Sequence, residues 1–184
     1  MLDSKEFARI KRDLEAFDAA RERQISVGRE VIKLSKLVIY SVHRNDLPTA
    51  QKHIQEMEKK VKLLSPQSYD ENMGNVAFQE YVEAITYYEF MKNGKIPSQK
   101  DLKVSTENYL LGLCDLTGEL VRRAVQDVIR GNPQNALKIH TFVENLYGLF
   151  LQFNLRNGEL RKKVDSIQWN LKKLEEIALG LKLR

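Results

Sequence analysis

One cysteine, Cys114, four prolines and nine glycines are all that the 184 residues hold of these types. A single cysteine closes no internal disulfide and builds no thiolate metal cage, which fits a reducing compartment and leads to the expectation of a cytoplasmic protein. No run of about eighteen apolar residues occurs, so no membrane-spanning helix and no membrane partner are expected. The opening stretch, "MLDSKEFARIKRDLEAFD", is charged throughout and has no apolar signal core, so export is not expected. The motifs G-x-S-x-G, the P-loop and G-x-G-x-x-G are absent, which sets aside the chemistries they carry.

The remaining composition is that of a folded chain. Hydrophobic residues make up 42% and charged residues 30%, enough apolar side chain for a core in a single domain spanning residues 1–184. The net charge is +5. A basic chain admits nucleic acid as a partner without requiring one.

Strand signals are missing and helical periodicity is everywhere, so the fold class is all-α, a bundle of about six helices with a long N-terminal helix. The first helix is expected from about Ser4, its N-cap, to His43. The second starts at Asp46, with Pro48 just inside, and runs to about Leu64, where Ser65-Pro66 breaks it. The third covers about 70–92 and stops at Asn93-Gly94, and a loop holding Pro97 follows. The fourth runs from near Ser105 to Gly131. Asn132-Pro133 caps the fifth, which reaches about Phe153, and Asn157-Gly158 leads into the sixth, which reaches about Gly180. In that last helix Leu160, Val164, Ile167, Leu171, Leu174, Ala178 and Leu181 form a heptad seam, fit for packing inside the bundle, for a subunit contact, or for both.

Two helices carry acids where apolar residues dominate. In "AFQEYVEAITYYEF" (77–90), Phe78, Tyr81, Val82 and Ile85 form one stripe at ~100° per residue. Glu80 and Glu83 point nearly the opposite way, yet Val76, Tyr87, Phe90 and Met91 share that side with them. The pattern is that of an enclosed helix with a small polar window. In "YLLGLCDLTGELVRRAVQ" (109–126), the one polar stripe holds Gly112, Asp115, Glu119, Arg122 and Gln126. Asp115 and Glu119 are one turn apart on one face. Gly112 and Gly118 each cost the helix roughly 1 kcal/mol relative to alanine, a cost often borne so that another backbone or a ligand can come close.

If the two pairs face each other, four carboxylates converge. Crowded like charges in low dielectric cannot all stay ionised unaided, and an all-oxygen set suits a hard divalent ion, Mg²⁺ with Mn²⁺ as substitute. Hydrolysis of a phosphodiester or pyrophosphate is the natural chemistry of such a site. The plainer alternative is a pairing of Glu119 with Arg122 or Arg123 and solvation of Glu80 and Glu83. A di-iron bundle is set aside because none of His43, His53 and His140 has a glutamate three residues before it; these histidines read as structural or surface residues. Cys114 reads as core. Arg29, Lys33 and Lys36 share a face of the first helix, with Arg21 and Arg23 a turn or two earlier, and this stripe either tracks phosphates or is a solvated face balanced by Glu22 and Glu30.

The stretches "FQEYVEA" (78–84) and "NYLLGLCDLTGELVR" (108–122) resemble the "LQEYVEA" and "DYLLGxxDLTGEL" of the translin family, in its branch of translin-associated factor X, TRAX. "ARERQISVGREVIKLSKLVIYSVHR" (20–44) is similar to the end of that family's first helix, including the closing His-Arg. "LRNGELRKKVDSIQWNLKKLEEIALGLKLR" (155–184) is similar to its C-terminal helix. The resemblance implies an all-α subunit of a hollow octamer that encloses nucleic acid. It also implies a Mg²⁺-dependent endoribonuclease acting on single-stranded RNA, with DNA or duplex RNA as further candidate partners. The family's catalytic, metal-holding acids fall on Glu80, Glu83, Asp115 and Glu119.

Two departures matter. Eukaryotic TRAX carries a long insertion between its third and fourth helices, where only about 93–104 intervenes here, which implies a compact, archaeal-type member able to form a homo-oligomer. Translin's basic, histidine-rich cluster is replaced by the acidic "SYDENMGNVAF" (68–78), so Arg21, Arg23, Arg29, Lys33, Lys36 and Arg122 become the candidate RNA contacts. The rival readings are a non-catalytic, translin-like nucleic-acid-binding oligomer and an all-α nucleotide pyrophosphohydrolase.

Overall fold

The computed structural model describes residues 3–64 and 71–183, and all regular structure among them is helical. Among the described residues seven helices follow one another: α1 (Ser4–His43), α2 (Leu47–Val61), α3 (Glu71–Asn93), α4 (Gln99–Leu102), α5 (Thr106–Ile129), α6 (Pro133–Phe150) and α7 (Glu159–Lys182). Among the described residues no helix is long and apolar enough to cross a membrane.

The ends follow local chemistry. The N-cap of α1 is Asp3 rather than Ser4: its carboxylate accepts from Lys5 N at 2.9 Å, and Ser4 is already helical. Asp46 caps α2 by accepting from Thr49 N at 3.1 Å, with Pro48 inside the first turn where its missing N–H costs nothing. The expected break at Ser65-Pro66 lies outside the described residues; α2 itself stops at Val61 and a turn follows. Gly94 and Gly131, at φ +70° and +77°, take the left-handed conformation that ends α3 and α5. Asn132 precedes Pro133 as expected but makes no side-chain cap. The expected loop around Pro97 contains α4, which raises the count from six to seven. Ser98 and Asp101 build a capping box there, with Ser98 N donating to Asp101 Oδ2 at 2.9 Å and Asp101 N to Ser98 Oγ at 3.3 Å.

The helices pack as a row. The C-terminal half of α1 lies between α2 and α3, α3 lies against α5, and α6 and α7 pack on α5 and on each other. Apolar side chains from all of them meet in one core, with Val31, Val38, Met57, Val82, Leu116, Ile139 and Ile167 fully buried. The heptad seam of α7 is used inside this bundle: Val164, Ile167 and Leu174 are buried and its other members half-buried. By contrast, α1 buries nothing before Gly28, so its first half stands clear of the core. Across the α1–α5 seam, Arg123 forms a buried pair with Asp127 at 2.8 Å and donates to the Val42 carbonyl at 3.1 Å.

Candidate metal centre

Glycine at 112 lets α3 and α5 touch. A Cβ built there would stand 2.6 Å from Val82 Cβ and 2.8 Å from the Gln79 carbonyl, so only hydrogen fits. This approach puts Glu80 and Glu83 of α3 opposite Asp115 and Glu119 of α5. Gly118, six residues further on, meets only Asn170 Nδ2 at 3.9 Å and serves no such contact. The rest of α3 is buried on nearly every side: Ala77, Gln79, Tyr81, Val82 and 84–88 are all buried, whereas Glu80 and Glu83 are half-buried. The polar window expected from the sequence is there.

Glu80, Glu83 and Glu119 line one cleft of about 310 Å³ with Lys36, Ile39, Tyr40 and Arg122. Asp115 joins them electrostatically. Burial pushes the Glu83 carboxyl up to about 9, and the charges of Asp115, Glu80 and Glu119 push the same way. Burial also holds Glu80 above its ordinary range, against the pull of Lys36, and Asp115 above its range, against Lys163. Glu119 goes the other way: burial would raise it, but His43 and Arg122 together hold it below its ordinary value. Two of the acids have direct partners. Lys163 Nζ of α7 reaches Asp115 Oδ2 at 2.5 Å and Gln79 Oε1 at 3.4 Å. His43 Nε2 meets Glu119 Oε2 at 2.5 Å, and its Nδ1 meets the Tyr87 hydroxyl at 3.0 Å.

The donor chemistry fits a hard divalent cation: four carboxylates, three of them destabilised as anions by burial, with repulsion from the other acids adding to it at Glu80 and Glu83. Their present rotamers are shared with Lys163 and His43, and among the described residues no three acids or histidines close on one point as ligands would.

The Translin family pattern matches residues 19–184. The chain belongs to the translin family. An uncharacterized protein of Methanocaldococcus jannaschii is 32% identical over 155 residues, which cover 80% of this chain and 70% of that one. Translin-associated protein X of Mus musculus is 25% identical over an alignment covering 97% of this chain and 78% of its own. Among solved structures, apo-NeC3PO superposes with a TM-score of 0.89 at 31% identity over 98% of both chains. AfC3PO in complex with duplex RNA gives 0.86 at 27% identity over 97% of both.

In this translin-family chain the expected basic residues separate into two groups. Lys36 and Arg122 line the cleft, and Arg122 approaches Glu119 at 3.5 Å. Arg29 and Lys33 are exposed along the same face of α1 as Lys36, whereas Arg21 and Arg23 are exposed further out, on the half of α1 that leaves the core. Arg123, the other partner considered for Glu119, belongs instead to Asp127. Cys114 is core, and burial raises its thiol to about 12.

His43 falls on the structural side of the sequence reading of the histidines. It is buried, not peripheral, and holds Glu119. The i−3 glutamate rule that set it aside applies to ligands from one helix, and His43 reaches Glu119 across 76 residues. The signal that could have found it was its place in the closing His-Arg of the first helix. Lys163 and Gln79 were also missed, because neither a lysine in a charged C-terminal helix nor a glutamine beside a glutamate stands out without a partner in view. Tyr40, exposed on the cleft wall, lies at the end of the basic stripe.

Proposed function

We propose that this chain is a divalent-metal-dependent endoribonuclease that cleaves phosphodiester bonds of single-stranded RNA within a hollow homo-oligomer in the cytoplasm. The observation that carries the reading is the meeting of Glu80, Glu83 and Glu119 from α3 and α5 in one cleft flanked by Lys36 and Arg122, with Asp115 close enough for its charge to act on Glu83. Glu80, Glu83, Asp115 and Glu119 would hold Mg²⁺, with Mn²⁺ as substitute. When bound, such an ion polarises the phosphodiester and makes a water nucleophilic near neutral pH.

The chain's own residues supply the remaining parts. Lys36 and Arg122, both exposed, attract and seat the phosphate beside the acids. His43 fixes the Glu119 carboxylate, and Lys163 fixes Asp115. Glu83 has its proton held most tightly of the four, so it must surrender that proton before it can act as a ligand or base. The relative AfC3PO in complex with duplex RNA supports nucleic acid as the partner and keeps duplex RNA, beside DNA, among the substrates to test.

Large apolar side chains exposed on α1 (Phe7, Ile10 and Leu14) and on α7 (Trp169 and Leu179) support subunit contacts, with an octamer as the proposed assembly. Light scattering on the purified protein gives the subunit number.

The deciding experiment is cleavage of an end-labelled single-stranded RNA with Mg²⁺ or with EDTA, by wild type and Glu83→Ala. Metal-dependent cleavage lost in the variant is the expected result. Cleavage that survives the substitution sinks the site assignment. Binding without cleavage favours a translin-like binding shell, a reading that draws on the contacts by which Lys163 and His43 already engage two of the acids. Hydrolysis of free nucleoside triphosphates with RNA left intact favours a pyrophosphohydrolase.

A further inference from the structure

Along α1, Arg29, Lys33, Lys36 and Tyr40 follow at i, i+4, i+7 and i+11, so they share one face. The first three are exposed cations. The fourth is an aromatic ring that keeps 56% of its surface exposed at the wall of the acid cleft. Arg44 pins the ring from the next turn: its guanidinium donates to the Tyr40 hydroxyl at 3.3 Å and lies 5.6 Å from the ring centroid. Ile39 beside it is buried and gives the same wall an apolar floor. The cleft thus has two chemistries at its rim. The α1 wall offers the Tyr40 ring and Ile39 with Lys36 one turn away, and the facing wall of α3 and α5 carries the acids and Arg122; the two cations suit a phosphate.

We propose that Tyr40 is a stacking platform for one unpaired nucleobase, placing that nucleotide's phosphate over the acids and selecting single-stranded nucleic acid at the point of cleavage. The proposal rests on the reading of the cleft as an RNA-cleaving site and names what that site recognises. A ring of this kind takes any base, because every base has a π-face. It takes no base from an intact duplex, whose faces are covered by their neighbours in the stack. The cations of α1 contribute phosphate contacts that single strand and duplex share, so they give affinity without this selection. Preference for unpaired RNA therefore resides in Tyr40, and sequence preference is weak.

The test measures binding apart from chemistry. Anisotropy of a fluorescent oligouridylate is read in EDTA with wild type, Tyr40→Leu and Tyr40→Phe. The same proteins are titrated with a strand of equal length made of abasic nucleotides, and with a duplex. Loss of the stacking face in Tyr40→Leu weakens binding to the oligouridylate by about 5- to 150-fold. Tyr40→Phe, which keeps the ring, binds as wild type. On the abasic strand and on the duplex all three proteins bind alike.

The platform is overturned if Tyr40→Leu binds the oligouridylate as wild type does, if its loss is equally large on the abasic strand, or if wild type binds no RNA. The nuclease reading fails separately: a wild-type protein that never cleaves with Mg²⁺ yet shows the base-dependent loss in EDTA retains the platform and loses the activity.

Discussion

Gly112 of α5 lies so close to Val82 of α3 that a Cβ at position 112 would stand 2.6 Å from the Val82 Cβ. The contact sets the spacing of the two acid pairs, since Glu80 and Glu83 flank Val82 and Asp115 lies one turn beyond Gly112. Gly112→Ala must push the helices apart or bend one of them. Overpacking of this kind costs about 1–3 kcal/mol, and the displaced acids lose cleavage as well. Gly118→Ala meets no comparable neighbour and raises stability by about 1 kcal/mol through helix propensity alone. Denaturant unfolding of the two variants should move in opposite directions. Equal behaviour would show that the close approach does not constrain the helices.

Glu83 gives the protein a pH-dependent stability of defined sign. Its carboxyl keeps its proton up to about 9 in the folded chain, against an ordinary value of 4.5. Between those values the folded state holds a proton that the unfolded state has lost. Stability from this group is therefore greatest below the ordinary value and falls as pH rises toward the folded one. Glu83→Gln keeps the shape, removes the titration and flattens the slope. Unfolding midpoints of wild type and variant, taken at both ends of that window, check it. A slope unchanged by the substitution would place its origin in other groups.

A divalent ion should reverse that trend. Carboxylates bind it only when deprotonated, so the gain from Mn²⁺ grows with pH. At a hundredfold excess over the dissociation constant the folded state gains about 2.7 kcal/mol, read as a rise in the thermal midpoint. Asp115→Asn or Glu83→Gln removes most of that rise. An equal rise in both variants would mean that the ion binds elsewhere.

The sequence disclosed what depends on local pattern and missed what depends on contact across the fold. The bounds of α1 near Ser4 and His43, the Asp46 cap, the start near Ser105 and the ends at Gly94 and Gly131 follow from residues adjacent to the break. Even α4, which was missed, carries a readable capping box in Ser98 and Asp101, although a four-residue helix has too little periodicity to attract notice. Glu80, Glu83, Asp115 and Glu119 were legible because each interrupts an apolar helix. Gly112 and Gly118 looked alike in sequence, and only packing separates them: one faces Val82, the other almost nothing. Lys163 and His43 reach the acids over separations of 48 and 76 residues, where no spacing rule operates.

His43 is where the last prediction applies. Its ring joins the buried Tyr87 hydroxyl, 3.0 Å from Nδ1, to Glu119, 2.5 Å from Nε2. The ring thus ties the Glu119 carboxylate to the core, which fixes the orientation of Glu119 and helps hold its pKa down. His43→Phe keeps a ring in the core but leaves the Tyr87 hydroxyl and the inner oxygen of Glu119 without this partner. The expected cost is about 1–3 kcal/mol in stability. Metal affinity should fall about 10- to 100-fold, the range typical for removing a group that orients a ligand. Glu119 then titrates at higher pH, so the acid limb of the cleavage profile moves up. Adding Tyr87→Phe removes the hydroxyl that has lost its His43 partner and recovers part of the stability but none of the metal affinity. A purely structural His43 would behave otherwise: stability would fall while the metal affinity and the pH profile stayed in place.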